Sequence, residues 1–183
     1  MMLQPEDRRE FFKIWLGLLA FVNNKHKVVK SFGHPKTPVG IKPETTFKIK
    51  DKLWQNINII DEYIDSAKDL PEDHIQILTN WKKSIPGHFF IMRHLKNYSV
   101  FLEERDNESF LYGVLGISNP ISDPYPSETL PMMVQTTLMP FKDVIIYDTI
   151  FLYHNVSIGP NMSKNLNFQY SEIKKNRGIV TEL

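Results

Sequence analysis

Residues 84–117 read SIPGHFFIMRHLKNYSVFLEERDNESFLYGVLGI, and the change of rhythm inside this stretch decides the fold. Upstream of it, apolar residues recur at helical spacings of three and four. Downstream of Pro86-Gly87, apolar and polar residues alternate and strand-forming residues dominate. Alternation places successive side chains on opposite faces of a strand, so a helical front half and a β back half are expected, with Pro-Gly as the boundary. Segments 88–95 and 98–104 read as consecutive strands. The polar run Arg105-Asp106-Asn107-Glu108-Ser109 reads as a hairpin loop, and 110–117 as the returning strand.

Working toward the N-terminus, Phe11, Ile14, Trp15, Leu18, Leu19 and Val22 form one helical stripe. Pro5 suits a first helical turn, and Glu6 and Asp7 suit the positive end of the helix dipole. The run 11–22 is shorter than the roughly 20 apolar residues a bilayer span needs, and Lys13 interrupts it, so neither a membrane span nor a signal peptide is expected. This helix fades at Asn23-Asn24. Gly33, Pro35, Pro38, Gly40 and Pro43 punctuate an irregular loop over 25–47. A second helix is expected from Ile49, carrying Leu53, Ile57, Ile60 and Ile64 on one face. A third starts at Leu70-Pro71 and ends before Pro86.

Working toward the C-terminus, residues 118–131 carry Pro120, Pro124, Pro126 and Pro131 and read as a second irregular loop. Strands are expected over 132–139 and 144–158, split by Pro140-Phe141 and bent near Tyr153–Asn155, before a polar helix over about 161–176. The class is therefore α+β: N-terminal helices on an antiparallel sheet or partly closed barrel of five to six strands, with a C-terminal helix. The expected organisation is a helical subdomain over 1–85 and a β core with its C-terminal helix over 86–183.

The back half resembles a group of uncharacterised bacterial proteins whose strand motif has the sense LPxxVxTxLLPFKxxIIYDGLL. The matching residues here are Leu130-Pro131, Thr137 to Lys142 (TLMPFK), Ile145-Ile146-Tyr147-Asp148, and Gly178-Ile179 in the tail, with HFFIMRHLKNYSVFL at 88–102 also similar. Thr149 stands where the group tends to have glycine. The resemblance implies a shared β module and no particular chemistry.

Composition bounds the function. The 183 residues include 22 Lys+Arg and 21 Asp+Glu, a formal net charge of 22 − 21 = +1, which gives no general attraction to polyanions. With no cysteine there is no disulfide, thiolate metal site or cysteine nucleophile, which fits a reducing compartment and a cytoplasmic location. His88 and His94 lie about 20 Å apart along one strand face at about 3.3 Å per residue, too far for one metal. No His-Glu-x-x-His, Gly-x-Ser-x-Gly, Walker or Gly-x-Gly-x-x-Gly pattern occurs. No metal and no cofactor are expected.

The sharpest pointer is Asp148, set in a row with Val144, Ile146 and Ile150. A buried carboxylate needs a partner, a ligand or water. Arg93, in the row of Phe89, Ile91 and Leu95, is the expected ion-pair partner, either as a core lock or as part of a site. Arg93, Lys142, Tyr147 and Asp148 are the ligand-binding candidates, and an enzyme centred on them is one alternative. A second alternative is a nucleic-acid-binding module built on the lysine-rich segment 25–52, with Lys48, Lys50 and Lys52 as contacts. The acidic run from Asp61 to Asp73 beside it, and the lack of an RNA-binding motif, argue that nucleic acid is not the partner. The reading that remains is a non-catalytic binding or interaction protein with a protein or small-molecule partner.

Overall fold

A computed structural model describes residues 1–30, 32, 41–105, 108–149, 151–153 and 158–183. The chain is α+β and divides into two compact units, one of residues 4–83 and one of residues 84–183 joined by Met1–Leu3.

The helical unit contains α1 (Pro5–His26), α2 (Pro43–Gln55), α3 (Ile59–Ser66) and α4 (Glu72–Asn80), the last running into a 3-10 turn at Trp81–Lys83. Helix α1 outlasts the Asn23-Asn24 pair because Lys27 takes a left-handed conformation (φ 51°) and its N–H caps Asn23 O. The Asn23 side chain then accepts from the Val29 N–H at 2.8 Å and donates to Val29 O at 3.2 Å, which fixes the exit of the chain. Helix α2 begins six residues before the expected Ile49, because Pro43 sits at its start with Glu44 in the first turn rather than ending a loop. The expected second helix is broken at Asn56, so Ile60 and Ile64 belong to α3. Phe11, Trp15, Trp54 and Trp81 form the aromatic centre of the unit, with ring centroids 5.7–6.1 Å apart in each contacting pair. The loop expected at Gly33, Pro35, Pro38 and Gly40 lies outside the described residues.

The β unit contains β1 (Ile85–His94), β2 (Ser99–Arg105), β3 (Glu108–Val114), β4 (Met132–Phe141), β5 (Val144–Tyr147) and β6 (Leu152–Tyr153), then α5 (Pro160–Asn176). Strand order is β1-β2-β3-β5-β4-β6 with β1 also paired to β4, so five strands close a ring. The spatial order 4-1-2-3 is a Greek key, and β5 closes it between β3 and β4, the connectivity of small OB-type barrels. The sheet is mixed rather than antiparallel: β3 and β5 run parallel, meeting at Val114↔Ile145. The closure is narrow, and beyond it the tail takes over the open edge of β3. Val180 donates to Leu111 O and accepts from the Gly113 N–H, both at 2.8 Å.

Strand alternation sorts the side chains. Phe89, Ile91, Phe101, Tyr112, Val114, Val134, Leu138 and Ile145, drawn from all five ring strands, form the barrel interior. Phe90, Met92, Val100, Leu102 and Leu111 face the other way and are covered by Leu166 and Tyr170 of α5. Strand β1 starts at Ile85, so Pro86 lies inside a strand; its partner there is Thr137 of β4, while pairing with β2 starts only at Phe90. Pro140, expected to split two strands, lies inside β4 opposite Ile145. Strand β5 stops at Tyr147, where Thr149 adopts a positive φ of 73°. Ile150 and the bend at 154–155 lie outside the described residues. Gly113 is required by close packing: a Cβ there would sit 2.8 Å from the Tyr98 ring.

Candidate functional site

The four ligand-binding candidates do not converge. Asp148 is fully buried, but Arg93 is not its partner. Its Oδ1 accepts from Thr136 Oγ1 at 3.1 Å, and its backbone N–H donates to Thr137 O at 3.1 Å, across the β4–β5 register. Arg93 escapes the apolar row because the β1–β2 register shifts between Ile91 and Arg93. This bulge turns the side chain to the outer face beside α5, where it is exposed. Lys142 is exposed at the β4–β5 turn with φ 52°, its Nζ 5.6 Å from the Phe141 ring. Tyr147 points into the barrel and stacks on Phe151 at 4.1 Å. Burial pushes its hydroxyl up to about 12, opposed by a hydrogen bond from the backbone of Ile117, so at neutral pH it is a neutral phenol.

The lysines do not form one contact face. Lys48 and Lys52 are exposed on α2, whereas Lys50 is buried with its Nζ 5.5 Å from the Phe47 ring. Residues two apart on a helix point about 200° away from each other, which separates Lys50 from its neighbours. Lys25 pairs with Glu62, and Lys82 with Asp61 at 2.7 Å, so the acidic run takes lysine partners within its own unit.

The β unit has a different concave feature, in which Arg93 does take part. A groove of about 600 Å³ runs between the end of β1, the loop before β4 and the first turns of α5. Its walls are Met92, Arg93, His94 and Leu95 on one side, Ser127, Leu130 and Pro131 on the second, and Ser163 and Asn167 on the third.

The polar groups of this groove are held in place. Asn167 Nδ2 donates to Ser163 O at 2.8 Å, which leaves its Oδ1 to accept from Arg93 Nη2 at 2.9 Å. The guanidinium also lies 4.9 Å from the Tyr170 ring centroid. Arg93 has no carboxylate partner among the described residues, and its other N–H donors have no acceptor among them. A planar cation anchored on one side with donors left over is suited to a carboxylate or phosphate. His94 anchors the facing loop: Nε2 is 2.7 Å from Tyr125 O and Nδ1 is 2.7 Å from Ser99 Oγ. Because a carbonyl only accepts, Nε2 carries the proton, and in the neutral ring Nδ1 accepts from Ser99.

A second buried carboxylate is not among the candidates read from the sequence. Glu103, 5% exposed, accepts from Tyr112 Oη at 3.0 Å on one oxygen and from Arg105 Nη2 at 2.7 Å on the other. Burial and the Glu103 charge push the Tyr112 hydroxyl far above the usual tyrosine range. The signal is the alternation Phe101-x-Glu103-x-Arg105, which puts all three on one face. Both carboxylate oxygens are taken by side chains of the same sheet, which makes Glu103 a structural lock. Asn167 and Ser163 carry no local signal, since only the docking of α5 brings them to Arg93.

Among the described residues no helix is long and apolar enough to cross a membrane. Comparison with protein families, with curated proteins and with solved structures returned no match for the chain.

Proposed function

We propose that this is a cytoplasmic, non-catalytic binding protein whose β unit receives a small polar ligand through an anionic group held at Arg93. The observation that carries the reading is Arg93 itself, anchored by Asn167 and Tyr170 in the wall of the groove without a carboxylate among the described residues to neutralise it. Ser127 and Ser163 add hydroxyls, and Met92, Leu95, Leu130 and Pro131 supply apolar walls for the rest of the ligand. His94 has both ring nitrogens committed to the scaffold, which supports a binding role over proton transfer.

The experiment is a thermal-shift and calorimetric titration with inorganic phosphate, a nucleoside monophosphate and succinate, on the wild type and Arg93→Gln. Losing charge-assisted hydrogen bonds of about 1.5–3 kcal/mol weakens binding roughly 10- to 150-fold. Binding of at least one probe by the wild type and its loss in Arg93→Gln is the expected result. Equal binding by the two proteins, or none by the wild type, overturns the reading.

A further inference from the structure

We propose that the helical unit binds a divalent first-row transition ion through Glu10 of α1 and Asp73 and His74 of the first turn of α4. The ligand atoms of these three residues lie within 4.8 Å of one another. That alone describes many acidic surfaces; His74 makes this one different. Its imidazole is buried at 6% exposure and makes no hydrogen bond among the described residues. Its contact with a charged group is a loose ion pair with Glu10. Glu10 Oε1 stands 3.8 Å from Nε2, too long for a hydrogen bond. It is a fitting span for two ligands of one ion: bonds of about 2.0–2.2 Å set N and O about 3.4 Å apart at a tetrahedral angle and about 4.2 Å when opposed. The 4.8 Å bound on the cluster exceeds these spans by about 0.6–1.4 Å, which rotation of the exposed Asp73 side chain can cover.

Asp73 is exposed and already positioned. Its Oδ1 accepts the His74 backbone N–H at 2.9 Å, and Oδ2 has no partner among the described residues. An imidazole with two carboxylates selects zinc, manganese or ferrous iron over magnesium and calcium, whose preferred ligands are all oxygen. The exposed side at Asp73 leaves room for water to complete the coordination shell. Sequence spacing conceals such a set, because Glu10 is brought to Asp73 and His74 only by the packing of α1 against the start of α4.

The test uses the full chain stripped with a chelator, titrated with Zn²⁺ by calorimetry and with Co²⁺ by visible absorption. The expected result is one saturable site per chain, weakened at least tenfold in Asp73→Asn, Glu10→Gln and His74→Gln, with Mg²⁺ failing to compete. Should the buried His74 variant fail to fold, Asp73→Asn carries the test, since that side chain is exposed. Absence of saturable binding below millimolar Zn²⁺, or binding unchanged in Asp73→Asn, overturns the proposal and leaves Glu10 and His74 as neighbours only.

Discussion

Replacing Tyr112 by Phe isolates one hydrogen bond in the barrel interior. The ring stays, keeping its contacts with Phe89 and Phe110 at 6.3 Å between centroids, so the cavity left is small. What is lost is the hydroxyl that donates to Glu103 Oε2 at 3.0 Å. A hydrogen bond to a charged group contributes about 1.5–3 kcal/mol, and the acceptor left behind is a carboxylate only 5% exposed. Arg105 still holds the other oxygen, so the carboxylate is not stranded. A loss of about 2 kcal/mol is therefore expected. With a urea slope of about 1–3 kcal/mol per molar, the midpoint falls by roughly 1 M. The choice of probe matters here. The three tryptophans lie at 15, 54 and 81, in the helical unit with Tyr63, whereas the other six tyrosines, Tyr98, Tyr112, Tyr125, Tyr147, Tyr153 and Tyr170, lie in the β unit. Tryptophan emission reads the helical unit alone, so in urea unfolding the near-ultraviolet dichroism change that does not track tryptophan emission reads the unit that contains the substitution. Removing both partners, in Tyr112→Phe with Glu103→Leu, should cost less than the sum of the single changes, because no unpaired buried group remains. A Tyr112→Phe protein with the wild-type midpoint in that dichroism change would show that this hydrogen bond contributes nothing.

Three further outcomes rest on the same geometry. Trp15→Ala removes the centre of the aromatic cluster, where Trp15 is 1% exposed, and should destabilise the helical unit by about 3–5 kcal/mol in tryptophan-monitored unfolding; a wild-type midpoint counts against it. In a spectrophotometric titration the Tyr147 hydroxyl should ionise only near pH 12, about two units above a free tyrosine side chain. Since its folded pKa is raised, the stability Tyr147 contributes is intact below about pH 10 and is lost as pH rises through about 12; a single unresolved step at pH 10 contradicts this. Nucleic-acid binding should be weak and insensitive to Lys48→Ala with Lys52→Ala, because the two lysines stand without a continuous basic face and α5 covers the outer face of β1–β3, where OB-type barrels take oligonucleotides. Micromolar affinity at physiological salt, falling about 0.9 log units per phosphate contact for each tenfold rise in salt on duplex DNA, reverses that conclusion.

The period switch near Pro86 was legible because it rests on local side-chain spacing, and so were the stripe of α1, the hairpin of β2 and β3, and α5. Burial of Asp148 was legible too, from the aliphatic row around it. Its partner was not, because Thr136 is supplied by cross-strand register, and register is set by the closed ring rather than by either strand alone. The bulge after Ile91 had no local marker, yet it moved Arg93 from the barrel interior to the groove. Pro43 shows the same limit in the helical half: a proline can sit in a loop or at a helix start, and the packing of the residues after it settles which. The candidate site depended on α5 meeting the end of β1, a contact between residues 74 positions apart, which neither segment foretells.

Whether the Arg93 groove holds an anionic group is decided by NMR titration of the isotope-labelled chain with the probe that gives the largest thermal shift. Saturable perturbations are expected at the Arg93 guanidinium, the Asn167 side-chain amide, and the backbones of His94 and Ser163, all absent in Arg93→Gln. Perturbations clustering instead around Lys142 and Asp148, on α2, or nowhere, would contradict it.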